Sequence, residues 1–134
     1  METTTLDVRT GHEFAIVDLT ARIDGWLHGR GDGLCNVLAP HATAGLALLE
    51  ANQGTEEDAR RVLEALLPRD ERWTHRHGSR GHGADHILPL VVSPSLTLPV
   101  LAGGLDLGVW QSVVLIDTNV DNAVRQVRLA LLPG

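Results

Sequence analysis

Polar and apolar residues alternate at the start of the chain, with Thr4, Leu6 and Val8 on one side and Thr5, Asp7 and Arg9 on the other. That is the period of a half-buried strand. Gly11 breaks the run and Phe14-Ala15-Ile16-Val17 reads as a second strand, so the two are expected to pair as a hairpin. Leu19, Ile23, Trp26 and Leu27 then recur at helical spacing behind Asp18 and Thr20, either of which can cap a short helix. Gly29, Gly31 and Gly33 end it. Leu34 to Leu38 is a short apolar strand stopped by Pro40, and Gly45 to Leu49 continues as another.

The clearest signal follows. Thr55-Glu56-Glu57-Asp58 resembles a capping box, with acidic residues at the positive end of the helix dipole. Behind it Ala59, Val62, Leu63, Leu66 and Leu67 form one apolar face as far as Pro68. Residues 69–83 are charged, rich in Gly and His, and without periodicity, a length of loop that in a compact domain is functional or disordered. Ala84, Ile87, Leu88, Val91 and Val92 predict a short helix that Pro89 must kink or shorten. Strands are expected over Leu96 to Leu101 and Val109 to Ile116, joined by a turn-rich segment, and again from about Ala123 to Leu132. The irregular order of strands and helices, without a βαβ rhythm, predicts an α+β fold in a single domain, 1–134.

Composition narrows the function classes. The chain has 134 residues, 43% of them apolar, enough for one core. No apolar stretch approaches the roughly 20 residues of a membrane span, and the first residues lack the pattern of a signal peptide. The one cysteine, Cys35, lies in an apolar run and is expected to be a buried thiol in a reducing compartment. A cytoplasmic protein is therefore expected. Net charge is −6 and no basic cluster exceeds a pair, which argues against nucleic acid. An anionic small molecule stays open, because a few Arg and His can outweigh the global sign inside a pocket.

Histidine is the distinctive residue. There are seven, and His75, His77, His82 and His86 fall within twelve positions. Neutral imidazole is the commonest metal ligand near neutral pH, yet this spacing matches no short zinc signature. The pattern leaves a metal site and a solvated polar loop equally open. His41 follows a buried strand and Pro40 and is flanked by Thr43 and small residues, an arrangement that suits either a ligand site or a satisfied core histidine. Glu50 and Asn52 close the next apolar run, as helix-capping residues or with Glu50 orienting an imidazole. Arg125 shares a strand face with Val127, Leu129 and Leu131, so its guanidinium needs a partner. Asp117 is one candidate and a phosphate oxygen the other. His12 and His28 are expected to be ordinary surface residues.

Taken together and in this order, these islands resemble the YjbQ-like family, also called the secondary thiamine-phosphate synthase family. They are His41-Ala42-Thr43-Ala44 with Glu50, Asn52 and Asp58, Trp73-Thr74-His75, and Ala84-Asp85-His86-Ile87. Leu98-Pro99-Val100, Leu107-Gly108-Val109-Trp110-Gln111, Asp117 and Arg125 complete the set. The resemblance implies an α+β fold with mixed or antiparallel sheets, assembled as a homotrimer with sites near subunit interfaces. It implies metal or anion binding around His41, His75 and His86, with zinc or magnesium as the divalent metal ion. Phosphate contacts would come from Arg125 and Thr43, with Glu50 as base or orienter, and Asn52, Trp110 and Gln111 would serve in ligand binding.

The activity implied is that of a thiamine-phosphate synthase, a transferase joining a pyrimidine diphosphate to a thiazole phosphate, which needs a cation clamp on the leaving diphosphate. A non-catalytic metal- or anion-binding trimer and a small metal-dependent hydrolase are the alternatives. The loop Gly78-Ser79-Arg80-Gly81-His82-Gly83 departs from the family pattern, where acidic and amide residues are common. Arg80 and His82 in their place favour a softer metal or a bound anion. The low aromatic content and the strand faces around Leu96 to Leu101 and Val113 to Ile116 add an expectation of surface that one domain covers poorly.

Overall fold

The structure, a computed structural model, describes residues 1–134. Its first half runs β1 (Glu2–Arg9), β2 (Ala15–Asp18), α1 (Thr20–Leu27), β3 (Gly33–Leu38), β4 (Ala44–Leu49) and α2 (Thr55–Leu66). The second half runs α3 (His82–Asp85), a 3-10 turn at Leu88–Leu90, β5 (Ser95–Leu101), β6 (Gly104–Leu105), β7 (Ser112–Asp117) and β8 (Val124–Pro133). Five strands form one sheet in the order β1-β8-β3-β5-β6, and three form another in the order β2-β7-β4. Every pairing is antiparallel. The α+β class expected from the sequence is the one observed.

The two sheets enclose the main core, where Val37, Val127, Leu129 and Leu131 of the larger sheet meet Leu46, Val113 and Leu115 of the smaller, with Ile23 and Leu27 of α1 closing one side. The continuous apolar run of β7 has a direct cause. Its alternate residues Val114 and Ile116 face away from that core and pack under Leu63 of α2, Leu67 just past its end, Ala84 of α3, and Leu88 and Val92. The strand is thus buried on both faces. Helices α2 and α3 and the histidine-rich segment form a third layer on the outside of the small sheet.

Several local expectations are corrected. β1 and β2 do not form a hairpin. β1 pairs with β8 from Glu2 opposite Leu131 to Arg9 opposite Val124, whereas β2 pairs with β7. Alternation specifies which face of a strand is buried and leaves the partner open. Helix α2 begins without a capping box, because Gly54 in the left-handed conformation holds the N-cap (φ 84) and no side chain caps it. Glu56 instead accepts a hydrogen bond from the Asn52 amide (2.7 Å). Only Leu63 and Leu67 of its expected apolar face are buried, with Val62 63% and Leu66 55% exposed. The helix expected over 84–92 divides into α3 and the 3-10 turn, with Pro89 inside that turn. Val109 and Trp110 precede β7 in an exposed loop.

Of the strand faces expected to lie poorly covered, Val113 to Ile116 are buried, and Leu98 and Val100 sit inside the main core. Leu101 is 55% exposed and, with Leu34 and Leu132, leaves apolar surface on the outer face of the large sheet; Leu90, Val109 and Trp110 are exposed as well.

Candidate metal centre

Four imidazoles converge on the outer face of α3. His82 and His86 stand four residues apart, the separation that stacks side chains on one helical face, and their Nε2 atoms are 3.1 Å from each other. His75 and His77 come from the preceding loop. The His75 ring centroid lies 4.0 Å from that of His77 and 4.1 Å from that of His86. One ring nitrogen from each of the four falls within 4.8 Å of the others.

The chain reaches this arrangement through two close approaches. Gly83 lets the 73–75 segment lie directly on α3, since a Cβ there would stand 2.4 Å from Trp73 Cβ and 2.5 Å from the His75 carbonyl oxygen. Gly81 enters α3 with φ 77 against the backbone of Arg69, a conformation and a gap that favour glycine. Trp73 anchors the loop by donating its indole N–H to the Pro68 carbonyl (2.8 Å).

A buried carboxylate sits behind the imidazoles. Asp85 is 1% exposed; its Oδ2 lies 3.1 Å from His82 Nδ1, and Asp121 Oδ2 is 3.3 Å from the same nitrogen. Two carboxylates on Nδ1 place its proton there and leave Nε2 with a free lone pair, as metal-ligating histidines require. Arg69 grips the other side of Asp85 and donates to the Thr118 carbonyl (3.2 Å), Ser79 Oγ (2.9 Å) and the Arg80 carbonyl (3.2 Å). This single guanidinium fastens the histidine loop to the end of β7. Burial, and then the neighbouring imidazoles, push the His75 and His86 rings below their ordinary value, which keeps them neutral near pH 7. Asp121 is held low chiefly by the Ser79 amide.

The other expected site residues lie in different places. His41 is absent from the four-imidazole group: the Gln126 amide donates to its Nε2 (2.9 Å), and burial followed by Arg125 lowers its pKa. Arg125 is 5% exposed and turned inward. Its Nε and Nη2 donate to the two oxygens of Asp117 (2.7 and 3.1 Å), and Nη2 also donates to Thr43 Oγ1 (2.7 Å). Asp117 is thus the partner that Arg125 required. Glu50 and Asn52 are exposed, and Asn52 adopts φ 67. Trp110 is 69% exposed, while Gln111 Oε1 accepts from the Gly108 amide (2.9 Å) and shapes its own loop. His77 and His82 join the group, whereas the expected set was His41, His75 and His86. The four-residue spacing of His82 and His86 was the available signal, masked by the glycines around it.

Relatives match this chain in sequence, and solved structures match its fold. A UPF0047 protein of Mycobacterium tuberculosis is 52% identical over 134 residues, all of both chains. The UPF0047 protein YjbQ of Salmonella typhimurium is 31% identical over 103 residues, 76% of this chain and 74% of its own. Among solved structures, a hypothetical protein from Aeropyrum pernix superposes over all of both chains with TM-score 0.88 at 29% identity. A YjbQ-like protein of unknown function from Sulfolobus solfataricus gives TM-score 0.90 at 21% identity, covering 99% of this chain and 97% of that one.

None of these relatives is described as a thiamine-phosphate synthase, and one is described as being of unknown function. The synthase expectation is therefore corrected: the likeness brings the fold and no such transferase activity with it. The guanidinium and hydroxyl assigned to a diphosphate are already engaged with Asp117 and with each other. No helix is long and apolar enough to cross a membrane. The family model described as UPF0047 protein YjbQ-like matches residues 4–134, and the chain belongs to that family.

Proposed function

We propose that the chain is a metal-binding protein that holds one zinc-class divalent ion between His75, His77, His82 and His86. The observation that carries this reading is the mutual approach of four ring nitrogens within 4.8 Å. A tetrahedron of zinc–nitrogen bonds of about 2.0–2.1 Å sets neighbouring nitrogens roughly 3.3 Å apart, close to the 3.1 Å between His82 and His86 Nε2. An all-nitrogen donor set suits zinc, copper or nickel and disfavours magnesium, which takes oxygen ligands. Asp85 and Asp121 behind His82 supply the outer carboxylates that raise imidazole basicity. Four protein ligands fill a tetrahedral ion and leave no open position for a reacting water. The reading is accordingly one of metal holding, with the ion pinning the 69–88 segment to the small sheet.

Chelator-treated protein, titrated with zinc and analysed for bound metal, should take up one ion per chain. Cobalt in its place should give the intense visible bands of a tetrahedral site. His82→Ala and His77→Ala should each lose stoichiometric binding; unchanged uptake in both would overturn the reading. We also propose that the chain forms a homotrimer in the cytoplasm. Support comes from the outer face of the large sheet, where Leu34 lies between Leu132 and Pro99 in register, and from the exposed Val109 and Trp110. A monomer in sedimentation equilibrium at micromolar concentration would refute the assembly and leave the metal reading standing.

A further inference from the structure

A cavity of about 410 Å³ lies beside α2 and α3, on the far end of Arg69 and Asp85 from the histidine loop. Its body is apolar, walled by Phe14, Leu63, Leu67, Ala84 and Val120. With about 30 Å³ for each water-sized group, it has room for on the order of a dozen non-hydrogen atoms, the lower range of small-molecule sites.

We infer that this cavity binds a small monocarboxylate with an apolar body. The free carboxylate of its lining, Glu64, is 59% exposed at the rim, and the capacity left on the rest of its polar wall belongs to donors. Arg60 uses Nη2 on the Phe14 carbonyl (3.1 Å) and lies over the Phe14 ring at 4.7 Å. Its Nη1 reaches only the solvent-facing Glu64, at 3.9 Å, and its Nε has no partner. Arg69 spends Nη1 and Nη2 on Asp85 and loop oxygens, again leaving Nε without one. The Thr118 hydroxyl, on the same wall, is buried without any hydrogen bond. Rotation about its Cα–Cβ bond would offer it to a ligand oxygen.

The acceptors are already committed, because Asp85 is held between Arg69 and His82. A cationic ligand would therefore find no free buried acceptor, and a wholly apolar one would leave the donors unpaired. A dianion would need both guanidinium groups, and Arg69 is tied to Asp85. One carboxylate accepting from the uncommitted N–H groups of Arg60, with its hydrocarbon part against Phe14 and Leu63, satisfies both halves of the cavity.

This inference does not rest on the metal reading, and the test separates them. Full-length protein, both zinc-loaded and chelator-treated, is titrated with benzoate and with hexanoate while backbone amide resonances are followed by NMR. Benzyl alcohol and benzylamine serve as the neutral and cationic controls. Saturable shifts confined to the neighbourhood of Phe14, Leu63, Ala84 and Thr118 are expected with the carboxylates in the chelator-treated protein. Arg60→Met, on a largely exposed helix face, should weaken benzoate by about tenfold or more with the fold intact. Equal binding of benzyl alcohol, shifts scattered over the surface, or unchanged benzoate affinity in folded Arg60→Met would each overturn the proposal.

Discussion

Replacing Arg125 by Ala tests its pairing with Asp117, one of the two partners that the sequence left open. Arg125 and Asp117 are 5% and 0% exposed, so their pairing is screened little by water. Removing the guanidinium deletes two charge-assisted bonds to Asp117 and one to Thr43 Oγ1. The Asp117 carboxylate then keeps the Asn119 amide (3.0 Å) as its recorded donor. A buried carboxylate stripped of its cation costs about 3–5 kcal/mol. Domains are stable by only about 5–15 kcal/mol in total. The variant should therefore lose a large fraction of its stability, and its urea midpoint should fall at nearly constant slope. Changing both members, Asp117→Leu with Arg125→Met, should recover part of the loss, because no unpaired charge remains. A loss below about 1 kcal/mol in Arg125→Ala would refute the reasoning, as it would mean that water or another group already neutralises Asp117.

Three further outcomes concern the histidines and the groups that support them. Asp85→Asn should weaken zinc binding by about 10–100-fold in a calorimetric titration, because an amide cannot hold both the His82 Nδ1 proton and Arg69 as the carboxylate does. Gly83→Ala should destabilise the metal-free protein by about 1–3 kcal/mol in urea, since the new Cβ would meet Trp73 and the His75 carbonyl; an unchanged midpoint would refute the close approach. In metal-free protein, the ring protons of His41, His75 and His86 should titrate below the ordinary histidine value in NMR, the first cause in each being burial. The unfolded chain then binds more protons than the folded one as pH drops below about 6.5, so these groups make stability fall on acidification and return as pH rises through that window. Titration at or above the ordinary value would contradict it.

What the sequence determined by itself was local. The alternation Thr4, Leu6, Val8, the period of Ile23 and Leu27, and the acidic first turn of α2 declare strand or helix because side-chain direction repeats along the backbone. The demand of Arg125 for a partner was legible as well, since a charge heading the face Val127, Leu129 and Leu131 cannot be left alone. Tertiary structure decided the partners. β1 joins β8, 115 or more residues away at every pairing, and no neighbouring pattern specifies such a choice. The run Val113-Val114-Leu115-Ile116 could not reveal that one sheet and the α2–α3 layer would share it. The same holds for the imidazoles. Spacing left the four clustered histidines open between a metal site and a solvated loop, and the set His41, His75 and His86 came from the family resemblance. The packing of residues 73–75 across Gly83, and the clamp of Arg69 on Asp85, selected four rings and excluded the fifth. Metal-ligand geometry depends on atoms brought together through space, and only the folded chain fixes those distances.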